Sequence, residues 1–392
     1  MASPAVETVI VGGGPAGLAT AIFLAQAEPN LAERIVVLEK ERYPRDKFCA
    51  GGIGARADRL LARAGVYVDV PSVPVSRIAL KLAGGEIVGE DEHIGRVVRR
   101  IEYDHALAKI ARSRGVRIVE GARVDAVRID RDGVEVSSSA GLFRGRTLVG
   151  ADGVGSYVRR ALGLSGGRLR AQVIELDTEP TSSDPPRDTL LFDISDRDLT
   201  GYAWDFPTLV DGRELVCRGI YHLKTEGSNG LDIRALLAER LARRGLDLSR
   251  HRIKRFGERG FEPHTPFAAP RVLLVGEAAG IDPVTGEGIA QAIEYGAFAG
   301  EYLAEKLAGG DLLFGDFTER LRRTRVGMDL TARSKLAGFF YGDHREPMER
   351  FLLDAPEFLA LGVRYFGGLR VPRGQLARLA AKASWHTLRA LR

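Results

Sequence analysis

The 392-residue sequence has only two cysteines, Cys49 and Cys217, and lacks any apolar run of the roughly 18 residues that a membrane-spanning helix needs. So few cysteines exclude a disulfide-stabilised scaffold and favour a reducing, cytoplasmic compartment. The N-terminus leads into a strand pattern instead of a signal peptide. With 45% hydrophobic and 28% charged residues, the composition is that of a globular protein. We therefore expect a protein that is neither secreted nor membrane-spanning.

Acidic side chains are absent from residues 358–392, which carry seven lysines and arginines. The net charge of the chain is +5, so the other 357 residues carry a net charge of −2. Such a body lacks the basic surface of a nucleic-acid-binding protein. Residues 375–392 have an amphipathic helical pattern with a basic face, which fits either docking against the body or contact with an anionic membrane. The seven histidines lack the spacing of a metal site, so no metal is expected.

The first forty residues have the pattern of a dinucleotide-binding βαβ unit. A strand at residues 9–11 leads into a glycine-rich turn, an alanine-rich helix and a second strand. Gly12 would make the tight turn, Gly14 would let the backbone approach a pyrophosphate, and Gly17 would let the helix pack closely on the strand. Glu39, 22 residues after Gly17, has the spacing of the acid that binds an adenosine ribose. The predicted nucleotide site comprises Gly12, Gly14, Pro15, Ala16, Gly17, Glu39 and Lys40.

Strand and helix patterns divide the chain into two interleaved domains and a helical end. The apolar strand at residues 271–275 returns to the nucleotide-binding pattern, so that domain is discontinuous. Alternating strands between residues 166 and 262 predict an antiparallel sheet, and the hairpin that turns at Gly84-Gly85 is assigned to the same domain. The predicted boundaries are 1–75, 97–165 and 263–315 for the nucleotide-binding domain, 76–96 and 166–262 for the second domain, and 316–392 for the helical region.

Two further glycine-bearing turns follow, GADGVG at residues 150–155 and GEAAGIDPVTGEGI at residues 276–289. With residues 12–17, they resemble the three FAD fingerprints of the aromatic hydroxylase superfamily of flavoproteins. Within that superfamily, the chain is most similar to the geranylgeranyl reductase family. PRDKFCAGG at residues 44–52 resembles its lysine-cysteine-glycine loop, and GYAWDFP at residues 201–207 resembles its YxWxFP motif. Arg100 begins RIEYD, which is similar to the RxxFD signature of the family.

The resemblance implies an α/β fold: a discontinuous, Rossmann-like FAD-binding domain of the glutathione-reductase type, an antiparallel β-sheet substrate domain and a helical C-terminal region. It implies that FAD is the cofactor. The helix that begins near residue 289 would point its N-terminus at the N1 and C2 carbonyl region, where a reduced flavin gathers negative charge. Glu277 stands where the family usually has aspartate, and Asp152 would either hold turn amides or bridge to the cofactor. The further cofactor contacts implied are Lys47, Gly51, Gly52, Arg100, Val124, Asp152, Gly153, Gly276, Glu277, Pro283, Gly286, Gly288 and Ile289.

Cys49 and three alternating aromatic residues are the candidates for catalytic contact with substrate. The family carries a cysteine beside the flavin at this position, whereas an unpaired cysteine is most often a small buried apolar side chain, and both interpretations stay open. Tyr202, Trp204 and Phe206 share one face of a predicted strand because they alternate along it. They would form either part of an apolar core or, as the resemblance favours, an aromatic wall of a substrate pocket.

The resemblance implies an FAD-dependent oxidoreductase, for which two reactions stay open. In the leading hypothesis, reduced flavin delivers a hydride to a carbon–carbon double bond of a prenyl chain or another apolar, lipid-like substrate. In the alternative, the protein is a monooxygenase that hydroxylates or epoxidises its substrate through a peroxyflavin. A non-catalytic prenyl carrier is a third class, although it would not need the phosphate-binding glycines. NAD(P)H or another reductant would bind transiently, because only one dinucleotide fingerprint is present. The sequence does not indicate an oligomeric state.

Overall fold

Two eight-stranded sheets, each with helices packed on it, form the framework of the protein. The computed structural model describes residues 6–164, 166–224, 230–342 and 345–369, together with residues 374 and 382. The basic amphipathic segment predicted at residues 375–392 lies outside the described residues, apart from Lys382. Among the helices that the structure describes, none combines the length and the apolarity needed to cross a membrane.

The first sheet has the parallel centre that the βαβ pattern predicts. β1 (Val6–Val11) pairs in parallel with β2 (Ile35–Glu39) on one side and with β9 (Gly141–Gly150) on the other. Parallel neighbours need a crossover, and α1 (Pro15–Ala27) lies in the connection from β1 to β2. Every residue of β1 and β2 is buried, which explains why both are largely apolar. The other strands of this sheet are β6 (Arg117–Glu120), β7 (Val124–Ile129), β8 (Val134–Ser138), β15 (Ala268–Ala269) and β16 (Val272–Leu274).

The second sheet is mostly antiparallel, as predicted, but one pair of neighbours is parallel. Its strands in spatial order are β14 (Lys254–Arg259), β10 (Arg170–Thr178), β13 (Arg213–Lys224), β12 (Gly201–Val210), β11 (Thr189–Asp193), β4 (Ser72–Leu82), β5 (Gly85–Val98) and β3 (Gly52–Gly54). The parallel pair is β4 and β11, which are separated by much of the first sheet along the chain. Local alternation predicts a strand but not its distant neighbour, so the direction of this pair is not visible in the sequence.

The two faces of the second sheet pack against different helices. Leu176, Ala203 and Ile220 belong to a core shared with α5 (Ile233–Ala242), whereas Trp204 and Phe206 belong to a core shared with the C-terminal helices. The other helices are α2 (Ala55–Arg63), α3 (Arg100–Ser113), α4 (Tyr157–Ala161), α6 (Ile289–Gly309), α7 (Phe317–Arg323), α8 (Arg325–Tyr341), α9 (Arg345–Asp354) and α10 (Glu357–Phe366), with 3₁₀ turns at Pro29–Arg34, Leu248–Arg250 and Gly276–Ala278.

Helices α1 and α6 pack closely and run in the same direction. A Cβ added at Gly296 would lie 2.5 Å from the Cβ of Ala19, and one at Gly300 would lie 2.7 Å from the backbone nitrogen of Leu24. Glycine is therefore needed at this contact, because any side chain would separate the helices. The N-termini of both helices consequently lie on the same side of the molecule.

Candidate active site

The three glycine-bearing turns meet at one edge of the first sheet, immediately after β1, β9 and β16. The N–H of Ala151 donates to the carbonyl of Val11 at 2.8 Å, and the N–H of Val275 donates to the carbonyl of Gly150 at 3.0 Å. Gly276 has a φ of +58°, and a Cβ there would lie 2.6 Å from the Cβ of Ala16. The carboxyl edge of a parallel sheet is the usual place for a nucleotide.

The first turn presents an open helix N-terminus beside a buried arginine. Gly14 is the N-cap of α1, and within the described residues no side-chain hydrogen bond caps the first helical turn. A Cβ added at Gly14 would meet only the Nη2 of Arg100, at 3.9 Å, so a ligand can approach this backbone. Each carboxylate oxygen of Asp104 accepts a 2.7 Å hydrogen bond from Arg100. Free N–H groups and a fixed guanidinium together fit a pyrophosphate.

Asp104 keeps Arg100 in place because it remains ionised. Burial disfavours the charged carboxylate, but the paired guanidinium of Arg100 and that of Arg45 hold the pKa of Asp104 below its usual value. Arg45 donates to Asp104 at 2.9 Å and to the carbonyl of Gly13 at 3.0 Å. Arg45 therefore connects this ion pair to the glycine-rich turn.

Glu39 ends β2 and lies where the ribose of a dinucleotide is expected. It is almost fully buried, and its Oε2 accepts a 2.9 Å hydrogen bond from the N–H of Gly13. The N–H of Ala122 donates to the Glu39 carbonyl at 2.8 Å, which brings the turn before Val124 to the same edge. Val124 begins β7, and Lys40 is exposed. The fold thus brings Glu39 and Val124 together, as an adenosine site requires.

Asp152, in the second turn, bonds to its own turn. It accepts hydrogen bonds from the N–H groups of Tyr157 at 2.6 Å and Val158 at 3.2 Å. Asp152 therefore holds the amides of its own turn, which is one of the two roles that the sequence left open for it. The next residue, Gly153, faces the third turn, since a Cβ there would lie 3.6 Å from the Oε2 of Glu277.

Lys47 joins the cysteine-containing loop to the third turn. Its Nζ lies 3.3 Å from the Oε2 of Glu277, and the Lys47 side chain is about half exposed, 46%. A salt bridge at this exposure contributes little to stability. Lys47 and Glu277 nevertheless lie at the point where the second and third turns meet, because Gly153 faces Glu277 as well.

Three tyrosines hold the loop that precedes α6. Their hydroxyls donate to the carbonyls of three consecutive residues: that of Tyr221 to Pro283, that of Tyr341 to Val284 and that of Tyr202 to Thr285. The Tyr221 bond is 3.0 Å long. Backbone carbonyls in a buried loop need such partners, because they have no strand or helix to pair with.

The N-terminus of α6 lies on the same side of the molecule as that of α1. Gly288 is the N-cap, Ile289 is the first helical residue, and no side-chain hydrogen bond caps the first turn in the part of the chain that the structure describes. Gly286 has a φ of +63°, and a Cβ there would lie 3.2 Å from the hydroxyl of Tyr202. Free N–H groups and the positive end of the helix dipole fit the negative charge that develops on a reduced flavin.

An apolar cavity of about 670 Å³ begins beside these loops and extends between the second sheet and the C-terminal helices. Tyr202, Trp204 and Phe206 line it from one face of β12. Phe192, on the neighbouring strand, packs against Tyr202 and Phe206 with ring centroids 5.2 and 5.1 Å apart. The opposite wall, contributed by α8 and α10, includes Leu336, Phe340, Leu359, Gly362 and Phe366.

Cys49 lies in the wall of the cavity near the glycine-bearing turns. Its Sγ accepts a 3.4 Å hydrogen bond from the N–H of Gly51, and its own N–H donates to Glu175 at 3.0 Å. Burial raises the pKa of the Cys49 thiol, so the thiolate needed for nucleophilic chemistry is disfavoured. Gly52 faces the aromatic wall, since a Cβ there would lie 3.5 Å from the ring of Phe206.

Sequence analysis missed two acidic residues of the second sheet, Glu175 and Glu258. Burial raises the pKa of Glu175 to about 7, although Lys254 lies 3.9 Å away, and it raises the pKa of Glu258 well above its usual value. Glu258 lines the cavity. The alternation of Lys254, Phe256 and Glu258 along β14 was the available signal, because it places all three on one face.

A buried ion cluster, also missed, fixes α6 against α2 and α10. The guanidinium of Arg56 lies 2.9 Å from Glu287 and 3.6 Å from Glu294, and it stacks 4.9 Å from the ring centre of Tyr365. A buried charge of this kind is stable only when it is paired. The cluster therefore sets the position of Glu287, which belongs to the glycine-bearing turn before α6.

Comparison with known proteins assigns the chain to a family. A family model described as FAD binding domain matches residues 5–331, which is most of the chain. The chain belongs to this FAD-binding family. It is an FAD-dependent oxidoreductase, and FAD is its cofactor.

Several relatives of this flavoprotein have names that agree with the resemblance found in its motifs. A digeranylgeranylglycerophospholipid reductase of Methanothrix thermoacetophila is 26% identical over 405 aligned positions, which cover 97% of each chain. A menaquinone reductase of Mycobacterium tuberculosis is 29% identical over 318 positions, 76% of each chain. A geranylgeranyl bacteriochlorophyll reductase-like structure from Thermoplasma acidophilum has a TM-score of 0.72 at 23% identity, covering 84% of this chain and 87% of its own. These names agree with the resemblance to the geranylgeranyl reductase family, and the FAD-binding fold is confirmed.

Proposed function

We propose that the protein uses reduced FAD to reduce carbon–carbon double bonds of a prenyl chain or another large apolar substrate. The observation that carries this proposal is the apolar cavity, which begins at the FAD-binding loops. Its volume of about 670 Å³ lies within the roughly 300–1,000 Å³ of ordinary ligand pockets. The names of the relatives, digeranylgeranylglycerophospholipid reductase and menaquinone reductase, support the same class of reaction.

The charges along the cavity favour an uncharged substrate segment. Arg333 donates to Asp282 at 2.6 Å and to Asp329 at 2.9 Å, and Glu287 pairs with Arg56 at 2.9 Å. Because these charges are already paired, an ionic group that entered beside them would lose its hydration and would have to compete for partners that are already engaged. The cavity therefore suits the hydrocarbon part of a lipid-like molecule.

Each part of the site has a role in this reaction. Bound FAD, once reduced, supplies the hydride. The N-terminus of α1 and Arg100 would bind the pyrophosphate, and Glu39 would bind the ribose. The N-terminus of α6 would stabilise negative charge at the pyrimidine end of the flavin. Tyr202, Trp204 and Phe206 would orient the apolar chain and exclude water from it.

The electrons must come from a donor outside this site. Residues 12–17, 150–155 and 276–289 converge on one cleft, so all three fingerprints serve a single nucleotide. We propose that NAD(P)H or another reductant docks transiently, reduces FAD and leaves. Stopped-flow reduction of the FAD-loaded protein by NADH, by NADPH and by dithionite as a chemical control would identify the donor.

Product mass tests the proposed reaction directly. FAD-loaded protein would be reduced under anaerobic conditions and mixed with candidate prenyl lipids, with Gly14→Val as the control expected not to bind FAD. A gain of two hydrogens in the product supports the proposal. A gain of one oxygen when air is admitted, accompanied by a long-lived peroxyflavin absorbance, would instead establish the monooxygenase alternative.

The carrier alternative predicts a different observation. A protein that shields a prenyl group without chemistry would leave the mass of the bound lipid unchanged under both conditions. Lipid recovered unchanged from the reduced wild-type protein, across substrates that it demonstrably binds, would contradict the proposed reduction.

A further inference from the structure

Glu258 lies at the junction between the FAD-binding loops and the apolar cavity. A Cβ added at Gly286, in the loop before α6, would lie 2.8 Å from the Oε2 of Glu258. Glu258 also lines the cavity and shares a sheet face with Phe256, whose row continues through the neighbouring strands to Tyr221 and Tyr202. It is therefore positioned to meet both the reacting end of the cofactor and the substrate.

One oxygen of Glu258 has no partner. Within the described part of the chain, the buried Oε2 makes no hydrogen bond. Tyr202 and Tyr221 donate to backbone carbonyls. The Oε1 of Glu287, in the same cavity wall, also lacks a hydrogen bond, but Glu287 is ion-paired with Arg56, whereas no ion pair holds Glu258 within the described residues. Buried polar atoms are nearly always satisfied, so a free carboxyl oxygen in a ligand cavity indicates a group that acts on the ligand.

The surroundings of Glu258 favour the protonated acid. Burial has the largest effect, and the carboxylates of Glu277, Asp282 and Glu175 add to it, whereas Lys47 opposes them. Together they raise the pKa of Glu258 well above its usual value. The other titratable groups facing it are Tyr202 and Tyr221, whose own pKa values are raised by burial. These surroundings thus stabilise the protonated carboxyl of Glu258 relative to the carboxylate.

We propose that Glu258 is the proton donor of the reduction proposed above, so this inference rests on that function. When the π bond of the alkene breaks, two C–H bonds form. One carbon receives a hydride, and with it two electrons, from reduced FAD. The other carbon receives the proton of Glu258 as the O–H bond breaks. Glu258 remains as a carboxylate and regains a proton from water, and an outside two-electron donor such as NAD(P)H must reduce FAD again.

Cys49 is a weaker candidate for this step. Burial raises the pKa of its thiol from a value that is already near 9, so the thiol is a weak acid at neutral pH. A general acid works best when its pKa is close to the pH of the reaction. The Sγ of Cys49 also accepts the N–H of Gly51, whereas the Oε2 of Glu258 is unpartnered within the described residues.

Three variants test the assignment. Glu258→Gln keeps the shape but removes the acidic proton, and Glu258→Asp keeps the acid. Glu214→Gln is the control, because Glu214 is an exposed glutamate of the same sheet. In a single turnover of pre-reduced protein with a prenyl alkene, Glu258→Gln should form product at least about 100-fold more slowly, because a general acid usually accelerates a reaction by that factor or more. Glu258→Asp should recover part of the rate, and Glu214→Gln should match the wild type.

Two measurements separate this role from a structural one. FAD binding and the rate of FAD reduction by dithionite should be the same in all variants. Infrared difference spectra of the FAD-loaded wild-type protein should contain a protonated-carboxyl band at neutral pH. This band should be missing or shifted in the two Glu258 variants and unchanged in Glu214→Gln.

Any other result would overturn the assignment of Glu258 as the proton donor. Equal product rates in wild type and Glu258→Gln would reject the proton donor and leave the proposed reduction intact. The absence of the infrared band, or loss of FAD from Glu258→Gln, would reject it as well. If the wild-type protein reduces no alkene, the proposed function fails, and the proton donor fails with it.

Discussion

Replacing Gly296 by alanine should force apart α1 and α6, the two helices whose N-termini belong to the proposed FAD site. A Cβ at this position of α6 would lie 2.5 Å from the Cβ of Ala19, 2.6 Å from the carbonyl oxygen of Ala16 and 2.8 Å from the nitrogen of Thr20, all on α1. Non-bonded atoms of these kinds normally lie roughly 3.5 Å or more apart. The helices must therefore separate by about 1 Å, and no change of rotamer can avoid this because two of the obstacles are backbone atoms.

The expected magnitude follows from two opposing effects. Overpacking a close contact costs about 1–3 kcal/mol, and the better helix propensity of alanine returns about 1 kcal/mol. Gly296→Ala should thus lower the free energy of unfolding by up to about 2 kcal/mol. Gly338→Ala is the matched control, because it also lies within a helix but its Cβ would meet nothing within 4 Å. That variant should gain about 0.5–1 kcal/mol.

Urea unfolding and FAD titration test this reasoning together. Because the N-terminus of α1 is the proposed pyrophosphate site, a shift that costs about 1.4 kcal/mol of binding free energy would weaken FAD affinity about tenfold. Gly296→Ala should unfold at lower urea and bind FAD more weakly, and Gly338→Ala should bind FAD like the wild type. If Gly296→Ala were as stable as Gly338→Ala, the close packing of α1 and α6 would not be the constraint described here.

Three further outcomes are expected. Gly14→Val should yield colourless protein, since its branched side chain would fill the space where the backbone meets the pyrophosphate; retained flavin absorbance would contradict the site. Burial raises the pKa of Glu175 from 4.5, the value of the unfolded chain, to about 7 in the folded protein. Between these two pH values, the folded protein therefore holds a proton on Glu175 that the unfolded chain has released. The free energy of unfolding should therefore fall as pH rises through this window, by up to about 3 kcal/mol, and Glu175→Gln should flatten the decline in urea titrations. Gly219→Ala should displace the ring of Trp204, which overlaps the position of the added Cβ, and should change the tryptophan fluorescence; an unchanged spectrum would contradict this packing.

Elements with a local signal were predictable from the sequence. The helix expected to begin near residue 289 is Ile289–Gly309, and the hairpin expected at Gly84-Gly85 is formed by β4 and β5. The parallel pairing of β4 with β11 was not predictable, because nothing near either strand specifies a neighbour more than one hundred residues away in the sequence.

The candidate site also has parts that were predictable from the sequence and parts that were not. Each glycine-bearing turn directly follows a strand, so its place at the sheet edge could be predicted, and the alternation of Tyr202, Trp204 and Phe206 placed them on one face. The wall contributed by α8 and α10 could not be predicted, because an apolar helix face does not say what it packs against. Glu258 was missed because an acid in a strand ordinarily faces water, and only the tertiary structure shows that this one faces the cavity.

The register of the second sheet explains why a polar cofactor and an apolar substrate can share one wall. Lys254, Glu175, Gly219 and Trp204 form a single row across four neighbouring strands. Three strand spacings separate its ends, so the wall changes from an ion pair to an aromatic ring within about 14 Å. The charged end contacts the loop of Cys49 through Glu175, whereas the aromatic end lines the cavity. Gly219 marks the boundary, because only a residue without a side chain lets the ring of Trp204 lie this close to the strand. Hydride transfer in the proposed reduction would require the cofactor and the alkene to touch, so we expect that step at this boundary.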